Sequence, residues 1–149
     1  MNDEMYMISA LRLLQSADEL RDRVSGAFAA VHGLSVNEFF LLMHLERAAD
    51  NRLPRVELAK RMYVSASTIT RMVGPMQKIG LVDRESSARD ARLAFVALNE
   101  TGKNKLQEAK LTFAKNAGYA FEDRWQIDDV SILSELLHRF VAGRIANLT

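Results

Sequence analysis

Apolar residues recur every three or four positions over most of the chain, so the pattern predicts a mainly α protein. The first stripe is Ile8, Leu11, Leu14, Ala17, Leu20, Val24, Phe28 and Val31, within a helix from about Asp3 to Val31, with Gly33 as its C-cap. A single stripe of that length needs a long partner. Ser35-Val36-Asn37-Glu38 reads as a capping box opening a second helix, whose Phe39-Phe40-Leu41-Leu42-Met43 run is apolar nearly all round and therefore central. Asp50-Asn51-Arg52 reads as a loop, and Pro54 suits the first turn of a third helix with Val56, Leu58, Ala59 and Met62 on its inner face. After a short turn at Tyr63-Val64, Ser65 caps a fourth helix, about Ala66 to Ile79, which Gly80 ends.

Two short extended stretches follow, Leu81 to Glu85 and Leu93 to Leu98. They are joined by the polar run Ser86-Ser87-Ala88-Arg89-Asp90-Ala91, the pattern of a β-hairpin. Asn99 caps a long fifth helix carrying Leu106, Ala109, Phe113, Ala117, Phe121 and Trp125. Asp128 and Asp129 suit the start of a last helix with Leu133, Leu136, Leu137, Phe140 and Ile145 as its apolar residues.

Composition narrows the classes. At 149 residues and 48% hydrophobic, the chain can bury a core without metal or disulfide staples. The lack of cysteine removes disulfide, thiolate-zinc and cysteine-redox chemistry and fits a reducing cytoplasm, the expected location. No apolar run reaches the roughly 18 residues of a membrane helix, and the acidic start Asn2-Asp3-Glu4 is unlike a signal peptide.

The net charge of +1 hides an asymmetry. From Arg52 to Lys105 there are 11 Lys and Arg against 5 Asp and Glu, while the remainder holds 9 against 14. Between Glu57 and Asp83 there is no acid, but Lys60, Arg61, Arg71 and Lys78 are present. A basic centre on an acidic frame suits a polyanion, although a solvated basic face has the same composition.

Two short helices, a tight turn, an amphipathic helix and a hairpin form the order of a winged helix-turn-helix. The major groove of B-DNA, about 12 Å wide, admits one helix. Such a helix needs an apolar back and a short-chained polar or basic front. Ile69, Met72, Val73 and Met76 supply the back; Ser67, Thr68, Thr70 and Arg71, with Ser65 at the cap, supply the front. Hydroxyls bond phosphates or base edges, and Arg takes guanine bidentately. An ordinary amphipathic surface helix would look similar. In the hairpin, Arg84, Arg89 and Arg92 suit a minor groove, or equally a solvated turn.

These residues resemble the MarR family of bacterial transcription regulators. The likeness runs from Leu34-Ser35 and Glu38-Phe39 through Glu57-Leu58-Ala59 and Val64-Ser65-Ala66-Ser67-Thr68-Ile69-Thr70-Arg71-Met72-Val73 to Gly80-Leu81-Val82 and Arg84. It continues through Arg89-Asp90-Ala91-Arg92 and Val96-Ala97-Leu98-Asn99-Glu100-Thr101-Gly102, about half the chain in all. It implies that the fourth helix enters the major groove, that the wing contacts the minor groove, and that Asp90 braces the arginines around the wing. It also implies that residues 1–33 and 100–149 are dimerisation helices flanking a DNA-binding lobe at 34–99, two such chains acting as a homodimer on a near-palindrome of double-stranded DNA.

The resemblance further implies a small aromatic effector as partner, in a cleft that Phe28, His32, Phe39, Phe40 and Met43 would line if they are not simply core. Two positions depart from the pattern. Asn99 stands where the family often has Thr, and Gly74-Pro75 where many members carry a charged pair, Pro75 being expected to bend the fourth helix.

The expected function is therefore a sequence-specific, ligand-responsive repressor. The alternative is a winged-helix module that docks on a protein without touching DNA. His32, His44 and His138 have no paired metal spacing, no cofactor is expected, and no nucleophile motif, phosphate loop or paired-carboxylate site points to an enzyme.

Overall fold

The computed structural model describes residues 2–87, 89–90 and 93–149. Its elements follow the order α1 (Asp3–His32), α2 (Val36–Arg47), β1 (Arg52–Pro54), α3 (Arg55–Met62), α4 (Ala66–Lys78), β2 (Val82–Ser86), β3 (Ala94–Leu98), α5 (Glu100–Phe121) and α6 (Ile127–Val141). This is a winged helix-turn-helix with long helical extensions.

Local chemistry sets the helix ends. Gly33 closes α1 in the left-handed region at φ 64°, its N–H donating to the Ala29 carbonyl. The capping box before α2 is complete. Glu38 N–H donates to Ser35 Oγ at 3.1 Å, and Ser35 N–H donates to Glu38 Oε1 at 3.4 Å. Tyr63 ends α3 at φ 57°, which turns the chain sharply into α4. Asn99 Oδ1 accepts the Gly102 N–H at 2.8 Å at the start of α5.

The sheet has three strands in the order β1-β3-β2, all pairs antiparallel. The hairpin reading therefore lacked one strand. Arg52 pairs with Ala97 and Pro54 with Phe95, so the supposed loop at Asp50-Asn51-Arg52 is a 3-10 turn leading into β1. Three residues containing a proline carry no local strand signal; only pairing with β3 makes them one. Two apolar residues assigned to helices also lie beyond the helix ends. Trp125 follows α5 and packs edge-on against Phe121 at 5.2 Å between ring centroids. Ile145 lies past the end of α6.

The core fills the space under α2, where Phe39, Leu41, Leu42 and Leu45 are buried with Phe28, Leu58, Ile69, Val73, Met76, Val82, Val96 and Leu106. Phe28 and Phe39 are thus core residues, with Phe113 stacked on Phe39 at 4.9 Å; Phe40, Met43 and His32 are half-buried beside them. α1 runs antiparallel to α5, Arg23 meeting the Ala120 carbonyl and His32 the Thr112 hydroxyl. α5 is linked to the lobe through Glu46, whose carboxylate takes both Gln107 and Lys110.

Only Val24 and Phe28 of the α1 stripe are buried; Leu11, Leu14 and Val31 stand exposed. α6 has no buried residue, and Ile132, Leu136, Leu137 and Phe140 face outward. No single helix among the described residues is long and apolar enough to cross a membrane.

Candidate nucleic-acid interface

The candidate site is built on α4. Its back is anchored: Ile69, Val73 and Met76 are at most 1% exposed, and Met72 is half-buried. Each such side chain contributes about 1.5–3 kcal/mol by leaving water, so the rod is held rigidly to the lobe. The helix runs unbroken through Pro75 to Lys78.

The front begins at the cap. Ser65 Oγ accepts the Thr68 N–H at 3.1 Å and lies 2.9 Å from Thr68 Oγ1. Arg71 Nη2 in turn donates to Thr68 Oγ1 at 3.3 Å. Ser65, Thr68 and Arg71 thus form a ladder along one helix face, because residues three apart are surface neighbours. Ser65, Ser67 and Arg71 are exposed, and Thr68 is half-buried. Beside the ladder lies an open cleft of about 340 Å³ lined by Glu38, Thr68, Arg71, Met72 and Pro75.

Thr70 behaves differently. Its hydroxyl donates to the Ala66 carbonyl at 3.2 Å and accepts from Arg55 Nη1 at 2.7 Å, so it is spent within the lobe. Arg84 reaches from β2 to donate to the Thr70 carbonyl at 3.2 Å. The structure therefore brings Arg84 to α4 and leaves Arg89 exposed at the far end of the wing. Ser87 Oγ accepts the N–H groups of Arg89 and Asp90 at 3.2 and 3.3 Å, folding the turn back toward Leu93. Arg92 lies outside the described residues.

Sequence reasoning missed Arg55 and Arg52. Both carry visible positive charge, but their roles depend on tertiary contacts. On the outward face of the sheet, Arg52 lies over the Phe95 ring at 4.4 Å and pairs with Glu85 at 2.9 Å, spanning all three strands. The three histidines are on α1, α2 and α6. His44 is buried, and desolvation, helped by the positive charges of Arg61 and Arg47, lowers its pKa from 6.5 to about 4, so the ring is neutral at pH 7.

A family model described as MarR family matches residues 32–93, which include the whole helix-turn-helix and most of the wing. The HTH-type transcriptional repressor YetL of Bacillus subtilis (strain 168) is 37% identical over 81 residues, 54% of this chain. Over this central stretch the chain is similar to the MarR family. The YetL match spans about half of that relative's length, 48%.

MarR-family folds extend the likeness beyond the lobe. Sco3205, a MarR family transcriptional regulator from Streptomyces coelicolor solved in complex with DNA, superimposes with a TM-score of 0.76 at 23% identity, over 92% of this chain and 86% of that one. A mutant MarR from E. coli complexed with operator DNA gives 0.73 at 22% identity, over 95% and 98%. At such identities the likeness is one of fold, and it includes the long flanking helices.

Proposed function

We propose that this protein is a member of the MarR family and a sequence-specific, duplex-DNA-binding transcriptional regulator, a ligand-responsive repressor that works as a homodimer on a near-palindromic operator. One observation carries the reading. α4 is a rod whose apolar back is buried at Ile69, Val73 and Met76, and its other side bears the Ser65-Thr68-Arg71 ladder and Ser67. The DNA complexes of the two structural relatives and the repressor name of YetL support it.

In this reading Ser65, Ser67, Thr68 and Arg71 meet the major groove, with Arg71 as the base reader. Arg89 and Arg92 belong to the minor-groove wing, and Asp90 braces them. Residues 1–33 and 100–149 join the two subunits. α6 makes little contact with the rest of its own chain, and its apolar face, together with Leu11 and Leu14, suits burial in a second copy. A small aromatic effector would act beside His32, whose buried Nδ1 has no hydrogen-bond partner among the described residues, next to Phe28.

Selection of bound sequences from random duplex DNA tests the proposal. The expected product is an inverted repeat with half-sites about one helical turn apart. Arg71→Ala should weaken binding to that site by about 1–3 kcal/mol and relax preference at one position per half-site. Failure to enrich any sequence would reject DNA reading in favour of a protein-docking module.

A further inference from the structure

Two guanidinium groups, neither paired with a carboxylate among the described residues, meet in the crevice between α4 and the wing. Arg55, the first residue of α3, holds the Thr70 hydroxyl at 2.7 Å, and Arg84 of β2 holds the Thr70 carbonyl at 3.2 Å. Both line a space of about 90 Å³ that Phe95 helps to close. The neighbouring acids are engaged elsewhere: Glu57 with Arg61 at 2.7 Å and Glu85 with Arg52 at 2.9 Å. Among the described residues no carboxylate lies within ion-pair distance of Arg55 or Arg84.

Each guanidinium has five N–H groups, and each uses one on a neutral oxygen of Thr70. Two like charges gathered on one residue repel, and an anion shared between them reverses the sign of that interaction. The planar forks suit a tetrahedral oxyanion.

The position of the crevice selects the anion. A helix in the major groove and a wing in the adjacent minor groove straddle the sugar-phosphate strand that separates those grooves. That strand has to cross between α4 and β2, over the crevice. We propose that Arg55 and Arg84 together clamp one backbone phosphate of that strand, and that Thr70 is the positioning residue that aims them. The proposal rests on the DNA-binding function above and adds Arg55 to the interface.

The test is a salt titration of operator binding by the full-length protein, read by fluorescence anisotropy. Arg55→Gln should weaken binding about tenfold, equally on operator and scrambled duplex. It should also make the log K against log salt slope shallower by about one per protomer. The double variant R55Q/R84Q should lose about the same slope, not twice as much, because both groups hold one phosphate. Arg55→Lys should keep the slope, and Thr70→Val should weaken binding while keeping the slope, since both cations remain.

A neutral methylphosphonate at the clamped position should cost the wild type what R55Q costs and leave R55Q unaffected. Circular dichroism melting checks that each variant is folded. An unchanged slope in R55Q, or a slope loss in T70V equal to that of R55Q, overturns the clamp while leaving DNA binding intact. A wild type whose duplex binding does not depend on salt overturns the proposed function and the clamp with it.

Discussion

Gly102, in the first turn of α5, lies directly against the backbone carbonyl of Leu81 at the base of the wing. A Cβ built there overlaps that carbonyl oxygen and comes within 2.7 Å of Leu98 Cδ1. The same glycine donates its N–H to Asn99 Oδ1. The glycine is therefore required by close approach, and it fixes where α5 leaves the lobe.

Gly102→Ala should consequently destabilise the protein. Helix propensity favours the alanine by about 1 kcal/mol, but overlap with a backbone atom costs about 1–3 kcal/mol or more, and the overlap wins because the Leu81 carbonyl is held in the fold. Urea unfolding should show a lower midpoint. An unchanged or higher midpoint would mean that the α5–wing junction yields easily.

His44 gives stability a pH dependence. Its folded pKa of about 4 lies below its ordinary value of 6.5 because the ring is buried and faces Arg61 and Arg47. Between those values the unfolded chain binds a proton that the folded chain does not. Stability is therefore fully present above pH 6.5 and is lost as pH falls toward 4, by an amount on the order of 3 kcal/mol. Urea unfolding from pH 7.5 down to 4.5 should show this fall, and His44→Gln should remove most of this component. A pH profile identical in the variant would assign the effect to other groups.

The cap and the front of α4 should separate stability from binding. Ser65 holds the Thr68 N–H, so Ser65→Ala should cost about 1 kcal/mol of stability. Ser67 is exposed, and Ser67→Ala should leave stability within about 0.5 kcal/mol. On the proposed reading S67A nevertheless weakens operator binding. Thermal melts beside anisotropy titrations check both; an S67A protein that binds the operator like wild type removes Ser67 from the interface.

The outward face of α6 should set the oligomeric state. Leu136 is 45% and Phe140 70% exposed, one turn apart on the same side. Wild type should sediment as a dimer. The variant L136E/F140E should sediment as a monomer and lose high-affinity operator binding, because two half-sites are no longer engaged together. A dimeric variant would move the subunit contact away from α6.

Much of this was legible along the chain. Ser35 with Glu38, Ser65 and Asn99 announce the starts of α2, α4 and α5, since a cap oxygen and the N–H that donates to it lie three residues apart. The spacing of Ile69, Val73 and Met76 announced the buried back of α4. Trp125 and Ile145 were misplaced because an apolar spacing does not stop where a helix does. The short strand Arg52–Pro54 was invisible because its partner, β3, comes after two intervening helices.

Short-range rules decided the helices, their caps and the identity of the α4 front, because those depend on neighbours within one or two turns. Packing alone decided that the Thr70 hydroxyl turns to Arg55, that Arg84 crosses from the wing to α4, and that Leu81 leaves no room at Gly102. Each of those contacts joins separate elements, and hydrogen-bond and steric terms act only after the core under α2 has brought those elements together.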